Sequence, residues 1–163
     1  MQIRINRIGA VGVLIAGVML TIQFCIGPSV LGAEWTNEGG DNRWHTPENW
    51  DTGEVPGGGE KALINRAGDD RAELAQAAGV KILRVGKGDG KTGELIIGAD
   101  ITLKSRHMGG EIGVGGGSGT VNQIAGYVDQ LWNRLDLGAR DKDTKGVWNL
   151  SGGVLKIRRG GLR

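Results

Sequence analysis

From Val80 onward, apolar and polar residues alternate in short runs, and glycine separates most of them. Alternation with period two buries one face of a β-strand. Leu83-Arg84-Val85-Gly86, Ile112-Gly113-Val114-Gly115 and Leu135-Asp136-Leu137-Gly138 share the form apolar-any-apolar-Gly, with closing glycines 29 and 23 residues apart. Gly93, Gly119 and Gly146, spaced 26 and 27 residues, open a second set: Glu94 to Ile97, Thr120 to Ile124 and Val147 to Leu150. A third set follows: Ile101-Thr102-Leu103, Tyr127-Val128 and Val154-Leu155-Lys156-Ile157. The pattern predicts two or three short strands per repeat. Glycine serves the corners, where positive φ or close backbone approach is needed.

One phrase recurs without a gap. Gly119-Thr120-Val121-Asn122-Gln123-Ile124-Ala125-Gly126-Tyr127-Val128 is answered by Gly146-Val147-Trp148-Asn149-Leu150-Ser151-Gly152-Gly153-Val154-Leu155, each position moved by 27 residues. A fixed offset marks a repeat architecture. Hairpins in a sandwich would instead show two-residue Asn-Gly or Asp-Gly turns and no fixed offset. Only Asp89-Gly90 has that form. The expected fold is therefore all-β, a parallel β-helix (solenoid) with a repeat near 26 residues, over 66–163. In such stacking Asn122 and Asn149 lie about 4.8 Å apart, where their amides can form a hydrogen-bonded ladder.

Upstream the alternation weakens. Asp69 to Ala78 has helical propensity, but Leu74 is its only large apolar residue, so a short strand around Ala72–Leu74 followed by a turn is expected. Segment 34–65 is rich in turn-forming Asn, Gly and Pro and ends in Ala62-Leu63-Ile64, read as the first buried strand. It holds Trp35, Trp44 and Trp50. Large side chains at the start of a solenoid cover the apolar end of the first coil, so a cap is the favoured role. A carbohydrate-stacking platform, with Trp132 added, is the alternative.

Residues 1–33 read as a signal peptide. Arg4 and Arg7 form a positive start, Ile8 to Ile26 an apolar core, Pro28 a break, and Leu31-Gly32-Ala33 a small-residue end suited to cleavage. About 20 apolar residues can also span a bilayer, so an uncleaved anchor over 8–27 is the rival. Cys25 follows the bulky Phe24 and is no lipid-attachment site. Without this segment, Lys+Arg falls from 20 to 18, against 18 Asp+Glu. The basic balance thus belongs to the leader and not to a nucleic-acid surface. The single cysteine leaves with it, so the exported domain holds together without disulfides. Gly is 32 of 163 residues, far above the usual ~7%, and fits many tight turns.

Asn49-Trp50-Asp51-Thr52-Gly53-Glu54-Val55-Pro56 followed by Ala62-Leu63-Ile64 resembles the N-terminal segment of large exported bacterial repeat proteins. The Gly-x-Val/Trp-Asn-x-x-Gly-Gly phrases, with Leu-x-Leu-Gly between them, are similar to autotransporter-associated β-strand repeats, frequent in planctomycetes. The likeness covers nearly all of 34–163. It implies a right-handed parallel β-helix, preceded by a signal helix and displayed or secreted outside the cell. Members of that family are often longer and end in an anchor or sorting signal. Here the sequence closes on Arg158-Arg159-Gly160-Gly161-Leu162-Arg163 directly after a strand. Two expectations follow: a shortened member of a longer family, or an end that docks on another solenoid chain.

Little catalytic chemistry is legible. His45 and His107 lie far apart with no zinc spacing. Gly115-Gly116-Gly117-Ser118-Gly119 lacks the Lys of a phosphate loop and the spaced Asp of calcium-binding repeats. Asp141-Lys142-Asp143 reads as a solvated loop, and Asn149-Leu150-Ser151, formally a glycosylation sequon, as part of a strand. Polysaccharide-cleaving β-helix enzymes gather carboxylates and cations on one strand face. The nearest group here is Asp129, Arg134 and Asp136, without counterparts on neighbouring coils. The expectation is a non-catalytic structural or adhesive protein, with no cofactor, metal or nucleic acid. Its partners would be a surface polysaccharide or a further solenoid chain.

Overall fold

A computed structural model of the chain describes residues 32–104, 109–130, 134–138 and 143–157. They form a β-solenoid of about 4 turns with about 26 residues per turn. A two-residue strand, β1 (Ala33–Glu34), comes first. The first coil holds β2 (Lys61–Ile64), β3 (Ala72–Leu74) and β4 (Ala78–Val80). The second holds β5 (Ile82–Lys87), β6 (Thr92–Ile97) and β7 (Ile101–Leu103). The third holds β8 (Gly110–Val114), β9 (Ser118–Gln123) and β10 (Tyr127–Gln130), and the fourth β11 (Leu135–Leu137), β12 (Lys145–Leu150) and β13 (Val154–Ile157). Each coil gives one strand to each of three parallel sheets, ordered β1-β2-β5-β8-β11, β3-β6-β9-β12 and β4-β7-β10-β13.

The alternation read from the sequence becomes vertical columns. Ala72, Leu95, Val121 and Trp148 stack inward in one sheet. Ala78, Ile101, Val128 and Leu155 do so in the next. Full burial of one such Leu, Ile or Val stabilises the fold by roughly 1.5–3 kcal/mol, and like packs on like at the strand spacing. The core is continuous from Trp35 through Leu83, Leu95 and Ile101 to Leu135. It loosens in the fourth coil, where Trp148, Leu155 and Ile157 are only partly buried and Leu150 and Val154 are exposed.

The second and third sets of runs stack as read, with Gly93, Gly119 and Gly146 in one column. The first set needs a correction. Leu83 and Leu135 both pair with Gly110, and Val85 pairs with Ile112. The third-coil member is therefore Gly110-Glu111-Ile112-Gly113, two residues before Ile112–Gly115. Gly110 breaks the apolar pattern for a packing reason. A Cβ there would lie 2.5 Å from Leu135 Cδ1, which already fills the space. The true corner glycines are Gly86, Gly113 and Gly138, with φ of 62°, 58° and 60°. A Cβ on Gly119 would sit 2.6 Å from the backbone nitrogen of Gly113, so the two glycine columns pack backbone to backbone.

The strand expected around Ala72–Leu74 is β3, entered through a single 3-10 turn at Gly68–Asp70. Ala62–Ile64 lies in β2 but is not the first strand, because Ala33 and Glu34 pair with Ala62 and Leu63. The folded body thus reaches back past residue 34. The entry segment closes the lower end of two sheets. Besides β1, Trp44 N donates to the Glu73 carbonyl at 3.0 Å and Glu73 N donates to the Asn42 carbonyl at 2.7 Å. No described helix is long and apolar enough to cross a membrane; residues 1–31, which hold the apolar stretch of the expected signal peptide, lie outside the described residues.

Candidate functional site

The outer face of the β2-β5-β8-β11 sheet carries the densest charge. The middle residue of each apolar-any-apolar-Gly phrase points away from the core, and this column reads Arg84, Glu111, Asp136. Arg84 Nε lies 2.5 Å from Glu111 Oε2, and Lys87 Nζ donates to Oε1 and Oε2 at 2.8 and 2.7 Å. Arg134 Nη2 donates to Asp136 Oδ2 at 2.6 Å, and its Nε lies 2.5 Å from Oδ1. Both carboxylates are covered, at 1% exposure for Glu111 and 0% for Asp136.

Burial alone would push the Glu111 carboxyl up. The hydrogen bond from Lys87 and the charges of Arg84 and Lys87 outweigh it, and Glu111 is held below the usual carboxylate range. Its hydrogen bond to Asp136 raises the Arg134 guanidinium further, against a desolvation that opposes it. A general acid at neutral pH needs the opposite tuning, a carboxyl pushed up by burial or a like charge. Here both carboxylates meet cations: Arg84 and Lys87 tie the second coil to Glu111 of the third, and Arg134 holds Asp136 within the fourth.

Asp129 does not join this group. It lies on β10 in a different sheet, paired with Thr102 and Lys156. Asp136 does have counterparts on neighbouring coils, in Glu111 and Arg84. The two-residue slip in the third-coil phrase hid them, since it set Gly113 in the place that Glu111 occupies.

Asn122 and Asn149 are register partners. Asn149 Nδ2 donates to Asn122 Oδ1 at 2.8 Å, and Asn122 Nδ2 donates to Glu94 Oε1 at 3.1 Å. Glu94 Oε2 accepts from the backbone nitrogen of Gly68 at 3.2 Å. The ladder therefore continues diagonally, because the residue in register below Asn122 is Ile96.

Trp35, Trp44 and Trp50 are 1%, 0% and 2% exposed. Trp50 receives the other two edge-on, with ring centroids 5.2 Å from Trp35 and 4.8 Å from Trp44. Such T-shaped pairs add roughly 0.5–1.5 kcal/mol each beyond burial. Trp35 Nε1 donates to the Asp70 carbonyl and Trp50 Nε1 to the Trp44 carbonyl, both at 2.8 Å. No indole face is left for a sugar; the trio is the core of the cap. Asn49, buried before Trp50, ties the surrounding loop. It donates to Asp41 Oδ1 and the Arg43 carbonyl and accepts from Gly39 N. The Arg43 backbone nitrogen and the Thr46 hydroxyl donate to Asp41 and lower its pKa. This staple was missed in the sequence, where Asn49 looked like one more turn residue.

The remaining candidates are scattered. His45 Nε2 lies 3.2 Å from the Ala77 carbonyl and lines, with Arg43, Trp44, Thr46, Glu73 and Gln76, a recess of about 460 Å³. Asp89, Gly115, Gly116 and Asp143 line another of about 340 Å³. No three His, Cys, Asp or Glu among the described residues are grouped to hold a metal ion. Ser151 of the sequon donates through Oγ to the Gln123 carbonyl at 3.3 Å. His107, Trp132, Asp141 and Lys142 lie outside the described residues. No family model, curated protein or solved structure matches the chain.

Proposed function

We propose that the chain is an exported, non-catalytic structural or adhesive solenoid of a bacterial cell surface or extracellular matrix. One observation carries this reading: the side chains best suited to chemistry are committed to internal columns. Glu111 is ion-paired with Arg84 and Lys87 between the second and third coils, and Asp136 with Arg134 within the fourth. Asn122, Asn149 and Glu94 form a ladder, and the three tryptophans close one end. These devices lengthen and stiffen a rod. Export rests on the leader-like sequence of 1–33, and the surface setting on the resemblance to autotransporter-associated repeats. A surface polysaccharide or a further solenoid chain is the partner this reading expects.

Cell fractionation and turnover assays test it. The chain should be recovered outside the cytoplasm and leave pectins and sulfated glycans intact. Cytoplasmic retention would remove the export reading, and robust cleavage of either glycan the structural one.

A further inference from the structure

We infer that the recess between the cap and the first coil binds an acidic saccharide unit, through Arg43, His45, Glu73 and Gln76. The inference deepens the proposed function: it rests on the polysaccharide partner named there and gives that partner a site.

The recess follows from the way the cap segment meets β3. Arg43 and Glu73 are parallel bridge partners. Glu73 N donates to the Asn42 carbonyl at 2.7 Å and Trp44 N to the Glu73 carbonyl at 3.0 Å. Alternation then divides both segments. Trp44 and Leu74 are buried, Arg43, Ala75 and Gln76 are exposed, and His45 and Glu73 are half-buried. The segment that buries Trp44 in the cap therefore presents its polar neighbours to solvent. They line about 460 Å³, inside the roughly 300–1,000 Å³ usual for small-molecule sites. The backbone bonds to Glu73 hold the two walls together, and the Thr46 hydroxyl is tied to Asp41 Oδ2 at 2.8 Å.

The lining keeps capacity that the ion-paired sheet has used up. The Arg43 guanidinium makes no hydrogen bond or ion pair among the described residues. It feels the charge of Asp41, whose oxygens already accept from the Arg43 backbone nitrogen, Thr46 and Asn49. A planar guanidinium pairs two-pronged with a carboxylate or a tetrahedral oxyanion. His45 Nε2 lies 3.2 Å from the Ala77 carbonyl oxygen, which can only accept, so Nε2 carries the proton. In the neutral ring Nδ1 is then a bare acceptor for a hydroxyl. Arg71 Nε and Nη2 both meet Glu73 Oε1, at 3.1 and 2.8 Å, which offsets the carboxylate charge and leaves Oε2 open. The Gln76 amide, without a partner among the described residues, adds a further acceptor and a donor.

One open cation beside three acceptors of hydroxyl groups describes a ligand with one anionic group and several hydroxyls. A uronic acid or a sulfated sugar has that composition. A simple phosphate or dicarboxylate would use Arg43 and leave the acceptors unmatched. A neutral sugar would use the acceptors and leave Arg43 without a counter-charge.

Titration calorimetry of the purified full-length chain tests this, with a galacturonate oligomer, a sulfated disaccharide and a neutral glucose oligomer as probes. Binding of an acidic probe and not of the neutral one is expected, and the tighter acidic probe identifies the anion as carboxylate or sulfate. Arg43→Gln should weaken that binding about tenfold and Gln76→Ala by a smaller factor. Lys156→Gln removes the same charge in the fourth coil and should leave binding unchanged. Neither the Arg43 nor the Gln76 side chain supports the fold, so both variants should unfold at the wild-type temperature. Failure of both acidic probes, equal binding of the neutral one, or equal weakening by Arg43→Gln and Lys156→Gln would overturn the inference alone. Shortened glycans in the same mixtures would instead overturn the non-catalytic reading.

Discussion

Asn122 joins three coils through one amide, accepting from Asn149 above and donating to Glu94 below. Each net hydrogen bond contributes roughly 0.5–1.5 kcal/mol, so Asn122→Ala should cost about 1–2 kcal/mol in urea titration and Asn149→Ala less than about 1. Equal effects would show that the diagonal bond to Glu94 contributes nothing. Glu111 answers to pH. Its folded pKa lies below the ordinary 4.5 because Lys87 and Arg84 outweigh its burial. The stability it contributes is present above the unfolded value and is lost as pH falls through the lower folded one. Glu111→Gln leaves Arg84 and Lys87 facing a neutral amide, and breaking such a pair costs about 3–5 kcal/mol. Their 22% and 30% exposure lets water relieve part of that cost, so about 3 kcal/mol is expected near pH 7. The difference from wild type should shrink as pH falls below the ordinary carboxylate value and through the lower folded one, where the wild-type carboxyl protonates; a constant difference would show that the carboxylate charge is not what the column uses.

At the scale of strands and corners, much of the solenoid was legible and one sheet was misaligned. The offset between Gly119 and Gly146 gave the pairing of β9 with β12 residue by residue. The first sheet resisted because Leu135 fills the place of a side chain at Gly110, removing the apolar mark that would have anchored the third-coil phrase. With that mark gone, the stacked Arg84, Glu111 and Asp136 could not be seen. β1 was hidden for another reason: two residues carry no periodicity, and they follow a largely apolar stretch of sequence. The corners themselves make a sharp test. Gly119→Ala would drive a Cβ into the Val85 carbonyl oxygen and the Gly113 nitrogen, both backbone atoms. Overpacking usually costs about 1–3 kcal/mol and more where the backbone has to move. Thermal unfolding should therefore show Gly119→Ala at or above the top of that range. Gly40→Ala, at φ +71° with open space around it, should cost only about 1 kcal/mol. A Gly119→Ala protein of wild-type stability would mean that the two glycine columns do not touch.

Among the described residues the first and fourth coils are packed unequally. Below the first coil, β1 and Asn42–Trp44 pair with strand edges, and the tryptophan trio belongs to the same buried cluster as Ile64 and Leu74. In the fourth coil Leu150 is 52% and Val154 51% exposed. A solenoid is held by contacts between neighbouring coils, so its stability varies along the axis. Local opening starts where buried apolar contacts are fewest. Amide exchange should therefore be slowest in the second and third coils, around Leu95, Ile97 and Val121, and fastest in β12 and β13. Trp44→Ala removes a fully buried indole, at a cost of about 3–5 kcal/mol, and the exchange should reveal where. The Glu73 amide, which donates to Asn42, should lose protection first, and β9 last. Loss of protection at one rate through every coil would instead make the rod a single cooperative unit. The cap would then stabilise distant coils as strongly as the one it touches.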